Sequence, residues 1–197
     1  MRIYNSIELL ETLRNDVEQL LGRVEDIKKM SDTSLNEQPA PGKWSIAQVL
    51  EHLNSYNRYY LPEIKQSLSK KTNFKPIFKP GLFGNYFTNM MAPKDRKVTN
   101  KMKAPKDHTP AEKLDAQKVI AAFIDDQQRL LQLLKMAEKA DIGKLKVPIS
   151  ISRFIKLKLG DTFRFLVVHQ QRHFLQIENI LVQTSQDQPR IVPAMAM

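Results

Sequence analysis

The residues of this chain best suited to bind a metal ion are four histidines: His52, His108, His169 and His173. His169 and His173 lie four residues apart, so on a helix both imidazoles project from one strip and can bind the same ion. No Glu lies between them, so the base of a zincin H-E-x-x-H pair is absent. A pair of this spacing is more often coincidental than functional, so by itself it leaves both interpretations open.

A third histidine lies on another predicted helix. His169 and His173 fall about 100° and 60° to one side of the centre of their helix's apolar stripe, and His52 falls about 100° to the same side of Leu53. If the two helices are neighbours, three imidazoles can share one cleft and leave a coordination position open, as in catalytic zinc sites. The chain has no Cys, so His, Asp and Glu are the side chains that could hold an ion.

Helical spacing of apolar residues predicts the elements that position these histidines. Four long helices are expected at about residues 6–29, 45–68, 109–139 and 161–183, which predicts an all-α four-helix bundle with a long basic loop between helices 2 and 3. Ser45 with Gln48 forms a capping box, and Thr109-Pro110 is expected to begin the third helix. Pro62 should kink or interrupt the second helix. Two alternating stretches near Pro148 are too short to build a sheet.

Length and charge narrow the class of protein. The 197 residues suit one domain spanning 1–197, with a loose tail from residue 185. There is no long apolar run and no signal-peptide pattern near the N-terminus, so no membrane partner and a cytoplasmic location are expected. Residues 65–106 carry eleven Lys or Arg against one Asp, which equals the whole net charge of +10. A basic segment on a neutral body makes nucleic acid an unlikely partner and predicts a local anion-attracting surface or a solvated loop.

The sequence from Lys43 to Leu53, which contains His52, resembles the second-helix signature of the DinB-like superfamily, including its YfiT-like metal-dependent hydrolases. His169, His173 and Gln176 are similar to its second signature. The resemblance implies a four-helix bundle with one divalent ion, most often Zn or Ni, on His52, His169 and His173. It also implies a homodimer. Some relatives are thiol-dependent S-transferases, others hydrolases or stress-induced proteins. The basic segment 65–106 departs from the family pattern and leaves the substrate open.

Several neighbouring residues have two interpretations. Gln176 could orient a ligand imidazole or make an interhelical hydrogen bond, and Tyr56 could donate to a substrate oxyanion or only pack. Arg172 could pair with a carboxylate substrate, although a surface ion pair is the default. Trp44 is expected to hold the preceding loop against the bundle. His108 is expected to be exposed to solvent.

Three functions fit these features. The first is a metal-dependent enzyme, thiol S-transferase-like or hydrolase-like, acting on a small molecule that could be an anionic thiol. Glu51 points about 100° away from His52, so no general base stands beside the imidazoles, which favours a thiol nucleophile, or no catalysis at all, over a water nucleophile. The second is a non-catalytic stress-response or binding module that uses segment 65–106 on an acidic partner. The third is a dimeric structural protein with a vestigial histidine cluster.

Overall fold

The computed structural model describes residues 2–93 and 103–186, with side chains to residue 184. Within these ranges four long helices form the body: α1 (Ser6–Ile27), α3 (Ile46–Leu68), α5 (Ala116–Ala137) and α6 (Leu159–Gln186). Two shorter helices are α2 (Asp32–Asn36) and α4 (Leu82–Met91), and a 3₁₀ turn spans Lys106–His108. The strands are β1 (Tyr4–Asn5), β2 (Ile77–Phe78), β3 (Lys146–Ile149) and β4 (Ser152–Lys158). The all-α bundle predicted from the sequence is confirmed.

The four long helices pack so that α1 and α3 each contact both α5 and α6. Helices α3 and α6 are therefore neighbours, although about 90 residues separate them in sequence. They run antiparallel, because Tyr60 lies 6.0 Å from Phe165 by ring centroids while His52 lies 4.6 Å from His173. The strips that carry the candidate ligands consequently face each other.

Side-chain caps set where the helices begin. The predicted capping box is present at α3, where the Ser45 hydroxyl accepts from the Gln48 N–H and the Gln48 side chain accepts from the Ser45 N–H. Pro62 does not interrupt α3, because it faces solvent and the carbonyl that loses its partner can be hydrated. The prediction that Thr109 begins the third helix was wrong. Helix α5 starts seven residues later with Asp115 as N-cap, and the Ala111 carbonyl instead accepts a hydrogen bond from Gln48.

The expectation that the segment around Pro148 forms no sheet was also wrong. Strands β3 and β4 pair antiparallel, with Pro148 opposite Lys156 and a register shift after it. A two-stranded ribbon tolerates Pro because each strand has an unpaired edge. The Tyr59 hydroxyl donates to the Ile149 carbonyl, and the Ser150 N–H donates to the Tyr60 hydroxyl, so the hairpin is held against α3.

The long connection after α3 contains ordered structure. Strand β2 pairs with β1, and α4 packs on α6. The buried carboxylate of Asp161, on α6, accepts the Gly81 N–H at 2.7 Å and pairs with Arg164 at 3.1 Å, which anchors the start of α4. Residues 94–102 of the basic segment and 187–197 of the predicted tail lie outside the described residues. In the described ranges no helix combines the length and apolarity that crossing a membrane requires.

Candidate metal centre

Three imidazoles from two helices meet between α3 and α6. The Nε2 atom of His169 lies 3.4 Å from Nε2 of His52 and 3.1 Å from Nε2 of His173. One ring nitrogen from each of the three residues lies within 4.8 Å of the others. His52 and His169 are each only 3% exposed, and His173 is partly exposed. The convergence expected from the helical wheel is therefore present, and metal binding at these positions stays a prediction.

A backbone carbonyl fixes the tautomer of His52. Its Nδ1 lies 2.7 Å from the carbonyl oxygen of His108. Because a carbonyl only accepts, Nδ1 must carry the proton, and the lone pair of His52 is on Nε2, directed at the other two imidazoles.

Gln176 fixes the tautomer of His173 in the same way. The amide oxygen of Gln176 lies 3.0 Å from Nδ1 of His173, so Nδ1 donates and Nε2 keeps its lone pair. Of the two interpretations of Gln176, the geometry matches an orienting contact to a candidate ligand. His169 Nδ1 has no hydrogen-bond partner among the described residues, so its tautomer is not fixed from that side.

His108 is buried, at 6% exposure, so the expectation of a solvent-exposed side chain was wrong. The Ser55 hydroxyl donates to the His52 carbonyl at 2.6 Å, and His108 Nδ1 donates to that hydroxyl at 2.8 Å. His52 in turn donates to the His108 carbonyl, which closes a ring of three hydrogen bonds. The ring of His108 also stacks on Tyr56, with centroids 3.9 Å apart, and this contact excludes solvent from His108. The 3₁₀ turn is thus a support for His52 that no local sequence pattern indicated.

Burial keeps all three imidazoles neutral. Desolvation lowers the pKa of His52 to about 4 and the pKa of His173 to about 3. The pKa of His169 is held well below its ordinary value by the same burial, and also because protonation of His169 together with His173 or His52 would place two positive charges side by side. Neutral imidazoles with free lone pairs are the form that binds metal ions.

The donor set fits a divalent cation. Tetrahedral coordination with Zn–N bonds of about 2.0–2.1 Å places ligand nitrogens about 3.3 Å apart, close to the observed 3.1 and 3.4 Å. Nε2 of His52 and Nε2 of His173 both present lone pairs to Nε2 of His169, and one proton there can satisfy only one of them. At least one of these two lone pairs would then be left without a proton donor, and a cation bound between the three nitrogens removes that conflict.

Two further candidates, Tyr56 and Arg172, and the predicted loop anchor Trp44 lie around this cluster. Tyr56 is 7% exposed with its ring centroid 4.5 Å from that of His169, and burial raises its pKa to about 12, so it stays a hydroxyl donor near neutral pH. Arg172 is 6% exposed, so the position at the surface expected for it was wrong. Trp44 packs on the core and also approaches His52, with centroids 5.0 Å apart.

A cavity of about 980 Å³ opens onto the three imidazoles. Tyr56, Arg172, Gln176 and Trp44 all line it. None of the described residues that line it is Asp or Glu, and Glu51 is instead paired with Arg58. The site therefore offers neutral nitrogen ligands, a buried cation and hydroxyl or amide groups, and among the described lining residues no carboxylate base.

Comparison with known proteins agrees with this architecture. The model of the DinB superfamily matches residues 8–177, and the chain belongs to that superfamily. A solved structure with a similar fold is YfiT from Bacillus subtilis, described as a probable metal-dependent hydrolase with an unusual four-helix bundle topology. The two share 18% sequence identity with a TM-score of 0.51, over 91% of this chain and 86% of that one. No curated protein matches the sequence.

Proposed function

We propose that this protein is a metal-dependent enzyme of hydrolase type, with one divalent ion held by His52, His169 and His173. The observation that carries the proposal is the meeting of three imidazoles inside the bundle, where Nε2 of His169 lies 3.4 Å from Nε2 of His52 and 3.1 Å from Nε2 of His173. The description of YfiT as a probable metal-dependent hydrolase supports it. Three imidazoles suit zinc or nickel. When bound, such an ion supplies Lewis-acid activation of a nucleophile in its open position.

Other residues of the chain orient the imidazoles, supply charge and hydrogen bonds, and exclude water from the site. The His108 carbonyl and the Gln176 amide hold the two outer imidazoles in the ligating tautomer. Tyr56 can donate a hydrogen bond to an oxygen that gains negative charge, and Arg172 supplies a fixed positive charge. The buried aromatic rings of Tyr56 and Phe165 exclude water from one side of the imidazoles.

A second candidate, transfer of a low-molecular-weight thiol, is favoured by the lack of a carboxylate among the described cavity residues. A thiol is far more acidic than water and needs less help from a base. Hydrolysis of an ester panel and consumption of a thiol in the presence of an electrophile distinguish the two activities in one preparation.

Elemental analysis tests the metal centre. We expect about one divalent ion per chain in protein purified without chelator, and its loss in His52→Ala, His169→Ala and His173→Ala. Glu51→Gln is the matched control, because Glu51 precedes His52 on α3 but pairs with Arg58 outside the cavity. Circular dichroism confirms that each variant is folded. Wild-type protein that stays metal-free when offered Zn²⁺, Ni²⁺, Co²⁺ and Mn²⁺ would refute the proposal.

The oligomeric state, the cellular location and the alternative function each need a separate test. The family resemblance supports a homodimer, which light scattering checks. The cytoplasmic location stays a prediction, which cell fractionation checks. The alternative of a binding module for an acidic partner is supported by an open surface depression lined by Lys75, Lys79, Lys144 and Lys158. Metal-free protein that binds heparin with a steep salt dependence would favour that alternative over an enzyme.

A further inference from the structure

The hairpin of β3 and β4 turns one face to the core and the other to solvent. Val147 and Leu157 are register partners and both are buried, so this pair points towards the core. Side chains alternate along a strand, and residues directly opposite each other share a face. The outer face of the hairpin therefore carries Lys146, Phe154, Lys156 and Lys158.

The lysines of this outer face are placed where they repel each other. Lys146 and Lys158 are register partners, and like charges directly opposite each other destabilise an antiparallel pair. Neither of them, nor Lys156, forms an ion pair with an acidic residue in the part of the chain that the structure describes. The arrangement costs the hairpin stability and favours a negatively charged partner.

The outer face continues into the basic surface depression. The Lys158 Nζ donates to the Lys79 carbonyl at 2.7 Å, and Lys158 lines the depression together with Lys75, Lys79 and Lys144. The acidic residue in this lining is Asp141, whose carboxylate accepts backbone N–H groups of the turn that follows it. The two features together place six lysines on one continuous surface.

The tip of the hairpin is apolar. Phe154 is 98% exposed, and Ile151 and Ile155 are also exposed. Phe154 and Ile155 are consecutive residues of β4, so they point to opposite faces of the hairpin. A projecting tip with large apolar side chains on both faces loses its contact with water most completely when it enters an apolar medium.

Lysines around an exposed apolar tip match the surface of a lipid bilayer. Anionic headgroups attract the lysines, and the boundary between headgroups and acyl chains accepts the tip. A second copy of this chain would instead bring the same lysines face to face. Nucleic acid would neutralise the lysines, but phosphate groups offer no apolar volume to the two faces of the tip.

We propose that the outer face of the hairpin and the adjoining depression dock this protein on bilayers that contain anionic phospholipid, with Phe154 and Ile151 entering the headgroup region. The contact is peripheral. It revises the expectation that the protein has no membrane partner, which rested on the lack of a long apolar run and so concerned segments that span a bilayer.

Co-sedimentation of the full chain with lipid vesicles tests the docking. The vesicles contain phosphatidylcholine alone or with about one third phosphatidylglycerol. We expect binding to the anionic vesicles that weakens as salt is added, and little binding to phosphatidylcholine alone. Phe154→Trp, made together with Trp44→Phe, places the chain's one Trp at the tip. Its fluorescence should shift to shorter wavelength on anionic vesicles, because the indole leaves water.

Two matched pairs of variants locate the contact. Phe154→Ser should weaken vesicle binding about ten-fold. Val182→Ser should leave it unchanged, because Val182 is an exposed apolar residue roughly 35 Å along α6 from the end of β4. Lys156→Gln should weaken binding about five-fold. Lys118→Gln removes the same charge from an exposed position in the first turn of α5 and should change binding less than about two-fold.

Lys146→Gln separates binding from stability. It removes the like-charge pair with Lys158, so it should weaken vesicle binding without lowering the melting temperature. A lower melting temperature with unaltered vesicle binding would instead give Lys146 a structural role and contradict the docking surface.

Three other outcomes would overturn the proposal. They are equal binding to both kinds of vesicle, equal losses in Lys156→Gln and Lys118→Gln, and a tip Trp whose emission does not shift on anionic vesicles. If light scattering shows that Phe154→Ser changes the oligomeric state while vesicle binding is kept, the tip is an interface between copies and the proposal is wrong. His169→Ala should bind vesicles like wild type, because the imidazoles lie inside the bundle, so this proposal and the metal-dependent function can fail separately.

Discussion

Ser55 is the residue whose replacement tests most directly how the protein positions His52. Ser55→Ala removes one hydroxyl and with it two hydrogen bonds, at 2.6 Å to the His52 carbonyl and at 2.8 Å from His108 Nδ1. His108 is 6% exposed, so its N–H is left without a partner inside the protein. An unsatisfied buried donor costs about 1–3 kcal/mol. For a chain of this size we expect the melting temperature to fall by roughly 2–10 °C.

The effect on metal affinity follows from the same ring of hydrogen bonds. Once the His108 side chain is released, its carbonyl no longer holds Nδ1 of His52 firmly, and the ligating tautomer is less well oriented. Loss of such a support typically lowers metal affinity about 10- to 100-fold. We expect metal affinity to fall about 10-fold, at the lower end of this range, because the His108 carbonyl is still present in Ser55→Ala. Competition with a chromophoric chelator measures the affinity, and differential scanning calorimetry measures the melting temperature.

Two variants control this experiment. Ser69→Ala removes a comparable hydroxyl bond, at 2.8 Å to the Gln66 carbonyl, from an exposed position at the end of the same helix. It should change neither metal affinity nor melting temperature appreciably. Ser55→Thr keeps the hydroxyl and should restore most of the affinity. If Ser55→Ala binds zinc as tightly as wild type and melts like Ser69→Ala, the hydrogen-bond ring does not support the metal centre.

Three further predictions concern stability. Gly84→Ala should destabilise the fold by more than about 2 kcal/mol, because a Cβ there would overlap the carboxylate of Asp161. The control Gly22→Ala, at an exposed position, should stabilise α1 by up to about 1 kcal/mol, and urea unfolding compares the two variants. Zinc at about 100 times its Kd should add about 2.7 kcal/mol to the free energy of unfolding, seen as a higher melting temperature, and His169→Ala should abolish that shift. Burial raises the pKa of Asp126 to about 6 from 3.8, so the folded state binds this proton more tightly than the unfolded chain does. The free energy of unfolding should therefore fall by on the order of 1–3 kcal/mol between pH 4 and pH 7, and Asp126→Asn should remove that slope in urea titrations across pH.

The elements that the sequence predicted well are those governed by local rules. The apolar period identified all four long helices, and Ser45 with Gln48 located the start of α3 because a capping box is a contact between residues three apart. The facing strips of His52 and His169 also follow from helical geometry, once α3 and α6 are known to be neighbours. That adjacency depends on how all four helices pack, and one sequence does not specify it.

The features that were missed depend on contacts distant in sequence. His108 was expected at the surface because it precedes a predicted helix cap, but it is buried through hydrogen bonds to Ser55 and His52, more than fifty residues away. The start of α5 was misplaced because Ala111 is bound by Gln48, a contact that the Thr-Pro pattern does not reveal. Strands β3 and β4 were rejected because they are short and contain Pro148, but their attachment to α3 through Tyr59 and Tyr60 compensates for the short length.

The hydrogen bond from the Gly81 N–H to Asp161 joins two parts of the protein, α4 and α6, that contribute different groups to the cavity. Asp161 fixes where α4 begins, and the later turns of α4 supply Phe87, Met90 and Met91 to the cavity. The two imidazoles of α6 stand two and three turns further along the same helix as Asp161. Relatives could therefore exchange the whole α4 segment for another sequence and acquire a new ligand preference while inheriting an unaltered reactive centre.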